Sequence, residues 1–340
     1  MTSMDNAPVT ADHIVGLGKA FRASKALFSA VELGVFTALA KEPRDVEALR
    51  TEAGISERGA RDFFDSLVAL KLLERDEAGR YRNTPQADLY LDRAKATYIG
   101  GELDHFNKRG YPHWHSLTAA LRTGKPQSVA SAGNYFLDVY SDQAALETYT
   151  EGMTSSARLV APAIAARFPW HRYRTVVDIG TSQGALPVEI ARTHPHLMGG
   201  GFDLPPVRPR FEAYVKNQGF SDRLSFHPGD FLHDPLPSAD VLIIGRVLHN
   251  WDLATKMMLL AKAYDALPPA GALVVYERMI DNDRKSSAAG LLASLNMLIM
   301  TEGGFDYTSA DLIGWMQNSG FGDLRVEPAT SELSMVMGVK

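Results

Sequence analysis

Two textures divide the chain. From about Ala11 to Asp92 apolar residues recur at helical spacing between short polar breaks. Ala26, Leu27, Ala30, Val31, Leu33, Val35 and Leu39 form one such stripe, interrupted at Gly34. Pro43 to Ser56 reads as a short helix entering a turn at Gly54. Arg58 to Leu73 reads as an amphipathic helix with Phe63, Phe64, Leu67, Val68, Leu70 and Leu72 inward. A Gly79 turn between stretches carrying Leu73 and Tyr81 predicts a β-hairpin, and helices closed by such a hairpin make a winged-helix module. Its third helix mixes Arg58, Arg61 and Lys71 with Glu57, Asp62 and Asp65. Without a basic stripe to meet phosphates, packing and dimerisation are favoured over DNA recognition.

From Thr175 onward strands and helices alternate. Thr175–Gly180, Met198–Leu204, Leu224–Phe226, Ala239–Ile244 and Gly271–Tyr276 read as strands. Between and after them, Ala185–Thr193, Phe211–Gln218, Leu253–Leu267, Ser287–Met300 and Asp311–Ser319 read as helices. Such alternation predicts a doubly wound parallel α/β sheet of Rossmann-like type. The last two runs, Leu324–Val326 and Ser334–Met337, are too close for a parallel crossover and must pair as an antiparallel hairpin. That terminal hairpin separates a methyltransferase arrangement from a dinucleotide-binding one. The predicted organisation is a helical winged-helix dimerisation domain over 1–100, linking helices over 101–165 and a nucleotide-binding domain over 166–340. The linking stretch is rich in aromatics and lends a substrate pocket Phe106, Trp114 and Phe136.

Composition narrows the chemistry. Charged residues make up 22% and hydrophobic ones 45%, which excludes a disordered or fibrous chain. A net charge of −5 gives no footprint for nucleic acid or an anionic membrane, so a small-molecule partner is expected. The absence of cysteine excludes disulfides, thiolate metal sites and a cysteine nucleophile. No apolar run approaches the roughly 20 residues that span a bilayer, and the polar N-terminus lacks a signal-peptide pattern, so a cytoplasmic setting is expected.

The cofactor is read from three acids. The first strand ends in Asp178-Ile-Gly180-Thr-Ser-Gln-Gly184, and Asp203, followed by Leu204, ends the second strand one β-α-β unit later, where two ribose hydroxyls would sit. A dinucleotide fingerprint needs glycine where this chain has Ser182, and Asp178 at the mouth of the turn would repel a pyrophosphate. A ligand with a cationic amino-acid end suits that carboxylate, and S-adenosylmethionine has one, with no phosphate. Asp230 and Phe231, after the third strand, are placed to meet an adenine amino group and ring.

The fourth strand runs into Gly245-Arg-Val-Leu-His249-Asn-Trp-Asp252. With Val31–Phe36, Asn83-Thr84, Gly229–Phe231 and Pro235–Pro237, this segment closely resembles the plant and bacterial small-molecule O-methyltransferases that include caffeate and acetylserotonin methyltransferases. The resemblance covers nearly the whole chain. It implies a homodimer formed through the N-terminal domain and methyl transfer to a hydroxyl of a small aromatic or polycyclic secondary metabolite, with carbon or nitrogen methylation as the alternative. It makes His249 the general base, oriented by Glu277 and Asp306, with no metal. It also places Gly180, Gly184, Asp203, Leu204, Asp230, Phe231, Arg246 and Trp251 along the cofactor. An imidazole is poised to take a proton at neutral pH, as a nucleophile must surrender one when the methyl arrives. Met153, Asn296, Met297 and Met300 complete an apolar acceptor pocket. The chain departs from the family pattern at its sparser glycine turn, at Asn250 where relatives carry Asp, and at Asn296 where bacterial relatives often have His.

Overall fold

The computed structural model describes residues 9–127 and 139–340 and folds as two compact units, Met1–Asn107 and Lys108–Lys340. The linking stretch expected over 101–165 is not a unit of its own: its first residues close the first unit and the rest belongs to the second.

The first unit is helical. Asp12–Lys19, Phe21–Glu32, Val35–Ala38, Val46–Glu52, Glu57–Ala69, Pro85–Leu91 and Gly100–His105 surround a small hairpin of β1 (Leu73–Arg75) and β2 (Tyr81–Asn83). Helix starts follow local chemistry, since the Asp45 and Thr84 side chains accept from Ala48 N and Ala87 N three residues on. Its core takes Val31, Val35, Phe64 and Leu67 from the apolar stripes read in the sequence and adds Phe36, Leu49, Leu73 and Tyr81. Leu70 differs. The helix stops at Ala69 and the chain turns through Lys71 at φ +59°, so Leu70 faces solvent rather than the core. Asp12–Lys19 buries none of its residues, and Ile14, Leu17 and, on the next helix, Phe21 are more than half exposed.

The second unit is built on a seven-stranded sheet. β3 (Thr175–Ile179), β4 (Met198–Asp203), β5 (Leu224–Pro228), β6 (Val241–Gly245) and β7 (Ala272–Glu277) are parallel. β8 (Gly322–Pro328) and β9 (Ser334–Val339) close one side as an antiparallel hairpin, giving the order β5-β4-β3-β6-β7-β9-β8. Helices cover both faces, which is why β6 reads as an unbroken apolar run. Leu242 and Ile244 pack with Leu259 and Leu260 on one face, while Val241 and Ile243 pack with Ile164 and Trp170 on the other. From β3 the chain steps outward to β4 and β5, then returns to β6 and β7 on the opposite side. That reversal opens a crevice at the carboxyl ends of β3, β4 and β6.

Two glycines shape the first turn at that crevice. Gly180 has φ +77°, and a Cβ on it would lie 2.8 Å from Val247. Gly184, at φ +86°, precedes the helix Ala185–Thr193, and its Cβ would fall 2.6 Å from the Phe211 ring. Gly184→Ala should therefore cost about 1–3 kcal/mol through strain and overpacking. Urea unfolding of the purified variant measures this directly, and an unchanged midpoint would contradict the packing.

Candidate functional site

A cleft enclosing about 1100 Å³, mouth included, lies at the crevice. Asp178 and Gly180 enter it from β3, Asp203 and Leu204 from β4, Asp230 and Phe231 from beyond β5, and Arg246 and Trp251 from beyond β6. All eight were assigned to the cofactor from the sequence. Gly184 was assigned there too, but it stands outside the lining, where the Phe211 ring leaves no room for a Cβ. Thr181, Ser182, Tyr140, Tyr149, Ser156 and Tyr276 line the cleft as well and were missed. Thr181 and Ser182 belong to the glycine turn itself. Tyr149 and Ser156 share the helix Gln143–Arg167 with Met153 at helical spacing, so part of this set had a local signal; Tyr140 and Tyr276 had none.

The carboxylates are organised differently. Asp203 accepts from Ser182 N and Leu204 N, each at 2.8 Å, and from the Tyr140 hydroxyl at 3.2 Å. Burial still raises it to about 6, these donors opposing the rise. Asp178 is raised further, to about 7, by burial and by the charge of Asp203, against a hydrogen bond from Thr181. Two buried acids side by side create strong demand for a cation. Asp230 is less committed: it accepts from Leu232 N and contacts His233 Nδ1 at 2.8 Å, so it also pins its own loop. Phe231 meets the Trp251 ring edge-to-face, 5.8 Å between centroids.

Backbone strain concentrates here. Ser182 at φ +54° and Arg246 at φ +55° are non-glycine residues in the left-handed region, and both line the cleft. Arg246 is held by a bond from its guanidinium to the Ser156 hydroxyl and by Asn250, whose Nδ2 donates to the carbonyls of Arg246 and Val247. An aspartate at 250 could accept but not donate, so asparagine ties this loop in its own way.

Behind this wall sits a second cluster. His249, on the short turn Leu248–Asn250, does not line the cleft although its neighbours Asn250 and Trp251 do. Its Nδ1 lies 3.2 Å from Asp306 Oδ1 and 3.6 Å from Glu277 Oε2, and its backbone N donates to Glu277 Oε1 at 3.4 Å. Both carboxylates are buried, Glu277 at the end of β7 and Asp306 in the loop before Ser309–Asn318. Burial alone would lower the imidazole, but Glu277 and Asp306 outweigh it against Arg246, and His249 ends above its ordinary value. Burial raises Glu277, with His249 opposing. The ligand atoms of the three groups lie within 4.8 Å of one another. The loop approaches closely because Gly304 has no side chain: a Cβ there would sit 2.6 Å from the His249 carbonyl oxygen.

The residues expected to form the acceptor pocket divide. Met153 lines the cofactor cleft. Trp114 donates from Nε1 to Asn296 Oδ1 at 3.0 Å and packs on Met300 and Ile299. Met297 is buried on the same helix, Ala288–Met300, which packs on the His249 turn. Phe106 belongs to the first unit and is not in the cleft lining, and Phe136 lies outside the described residues.

A doubly wound sheet with a terminal hairpin, paired acids at its first two strand ends and no fit for a pyrophosphate defines an S-adenosylmethionine-dependent methyltransferase. The chain belongs to the O-methyltransferase family: residues 114–322 match its O-methyltransferase domain and residues 15–93 its dimerisation domain. It is 43% identical to the tetracenomycin polyketide synthesis 8-O-methyl transferase TcmO of Streptomyces glaucescens, over 96% of both chains. It is 39% identical to the N,N-dimethyltransferase OxyT of Streptomyces rimosus, over 83% of this chain and 82% of that one. Human N-acetylserotonin methyltransferase, solved in complex with S-adenosylmethionine, superposes with a TM-score of 0.91 at 28% identity over 99% of each chain. No described helix is long and apolar enough to cross a membrane.

The raised Asp178 carboxyl carries a stability consequence. Its folded value lies above the unfolded one, so it favours folding below about pH 4 and that contribution is lost as pH rises to about 7. Asp178→Asn should therefore stabilise the ligand-free chain by up to about 2–4 kcal/mol at pH 8, with the gain vanishing near pH 4. Chemical unfolding of both proteins across this range gives the comparison, and a pH-independent difference would contradict the burial.

Proposed function

We propose that this enzyme methylates a hydroxyl of a small aromatic or polycyclic metabolite, with His249 taking the hydroxyl proton. The observation that carries the reading is a buried imidazole with two carboxylates on Nδ1 and its own value raised. S-adenosylmethionine, when bound, supplies a methyl group on a cationic sulfur, open to in-line attack. The residues fit such a ligand. Asp178 and Asp203 are buried acids awaiting positive charge and hydroxyl donors, and the buried Ser182 hydroxyl oxygen has no partner among the described residues. Asp178, with the Gly180 turn, would hold the ammonium end, Asp203 beside Leu204 the ribose hydroxyls, and Asp230 with Phe231 the adenine. Trp251 and Arg246 would wall the site.

His249 then acts on the acceptor. With Nδ1 bonded to Asp306 and the Glu277 charge 3.6 Å from it, Nε2 is the nitrogen left to receive the hydroxyl proton as methyl transfer proceeds. The carboxylates fix the ring and stabilise the imidazolium that forms. A divalent ion could use the same donors, but a buried ammonium at Lys256 supplies positive charge beside them and favours proton transfer without metal. Trp114, Asn296, Met297 and Met300 are assigned to the acceptor, and their apolar, methionine-rich character suits a flat ring system. A second reading, N-methylation, draws on OxyT. A neutral amine attacks without first losing a proton, so the two readings differ in what they ask of His249. The setting is taken as cytoplasmic, consistent with a cysteine-free chain.

On the first reading His249→Gln should lower kcat about 10²–10⁴-fold with S-adenosylmethionine affinity nearly unchanged. The wild-type kcat/KM should climb with pH through a value above 6.5, because only neutral His249 accepts a proton, and should survive a chelator. Full turnover in the variant on an acceptor whose product is N-methylated would establish the second reading.

The dimerisation match and the unburied helix Asp12–Lys19 support a homodimer in which Ile14, Leu17 and Phe21 are covered by a second copy. Light scattering at micromolar concentration should return twice the chain mass, and a monomer would refute it.

A further inference from the structure

Lys256 has no part in the cofactor cleft, yet it is the one lysine among the described residues that is wholly buried. It sits on the helix Leu253–Ala266, in the same stripe as Leu260, Ala263 and Leu267, where an apolar residue would pack without cost. Its ammonium is instead tied at both ends of the catalytic cluster. Nζ donates to the carbonyl of Trp251, two residues after His249, at 2.6 Å. It lies 3.2 Å from the centroid of the Phe305 ring and 5.5 Å from that of Tyr307, the two residues flanking Asp306. One cation therefore bridges the segment that carries the histidine and the segment that carries its carboxylate.

We infer that Lys256 is a positioning residue that clamps the Trp251 and Phe305–Tyr307 segments together and balances one of the two carboxylate charges that His249 feels. Resting on His249 as the base, the charge count explains why the cation is needed. Glu277 and Asp306 bring two negative charges and Lys256 one positive, so neutral His249 completes a cluster of net charge −1. Its protonation then brings the cluster to zero. Without the ammonium, both carboxylate charges would act on the imidazole with only Arg246 opposing them, and its proton would be held more tightly. Burial lowers Lys256 to about 8 while Glu277, Asp306 and Asp252 support its charge, in keeping with an ammonium at neutral pH. The other groups facing the cluster are Arg246, whose charge opposes protonation of His249, and the buried Tyr307 hydroxyl, held well above its ordinary value by burial.

The test is the pH profile of Lys256→Met, which keeps the length and apolar stem of the side chain. The acid limb of kcat/KM should move up by about one pH unit or more, with turnover at pH 7 down about tenfold and recovering at alkaline pH. Lys256→Arg, which keeps the charge and alters the shape, should leave the limb in place. Should the methionine variant not fold, Lys256→Met with Asp306→Asn removes a charge of each sign, and its limb should return toward the wild-type position. Direct NMR titration of the His249 ring in the protein with S-adenosylhomocysteine gives the same shift independently of turnover. A limb and a ring titration that stay put in folded Lys256→Met overturn the inference. If the wild-type limb instead persists in His249→Gln, it is the assignment of the base that fails.

Discussion

Negative charge taken out of water at the carboxyl ends of parallel strands is the constraint around which this molecule is arranged. Asp178 closes β3, Asp203 closes β4 and Glu277 closes β7, all buried, and each must be answered. Asp203 is answered by backbone donors and a tyrosine hydroxyl, Glu277 by His249 and by Lys256 beyond it. Asp178 is answered least, by a single threonine. The most exacting polar groups thus fall along one edge of the sheet, at the reversal of strand order, and the strained backbone at Ser182 and Arg246 falls there too.

Much of this was open to inspection in the sequence, because the signals were local. A sheet covered on both faces writes its strands as solid apolar runs, and the terminal hairpin followed from the short distance between its strands. Asp178, Asp203 and His249 stood out because each ends a strand or sits just past one, where a fold of this class keeps its chemistry. Much of the first unit's core followed from helical spacing, but not at Leu33 and Leu70, where a helix ended sooner than the apolar pattern.

What stayed hidden depended on contacts across long separations. Gly184 carried the same outward mark as Gly180, and only the position of the Phe211 ring separates a packing glycine from a cleft glycine. Tyr140 reaches Asp203 across 63 positions and Ser156 reaches Arg246 across 90, with nothing nearby to announce either. Lys256 left a faint trace, a lysine in an otherwise apolar stripe. The sequence could not show what it answers, since the rings it touches come from a loop some 50 residues on.

The poorly answered Asp178 gives the enzyme a sensitivity that has nothing to do with its reaction. A carboxyl that titrates near neutrality holds a proton part of the time before a cationic ligand arrives and must surrender it when one does. On the proposed placement of the ammonium end, loading the methyl donor is then a proton-releasing event. A proton and the cationic end of the ligand would then compete for one carboxyl, so the site would bind its ligand less tightly as the pH falls.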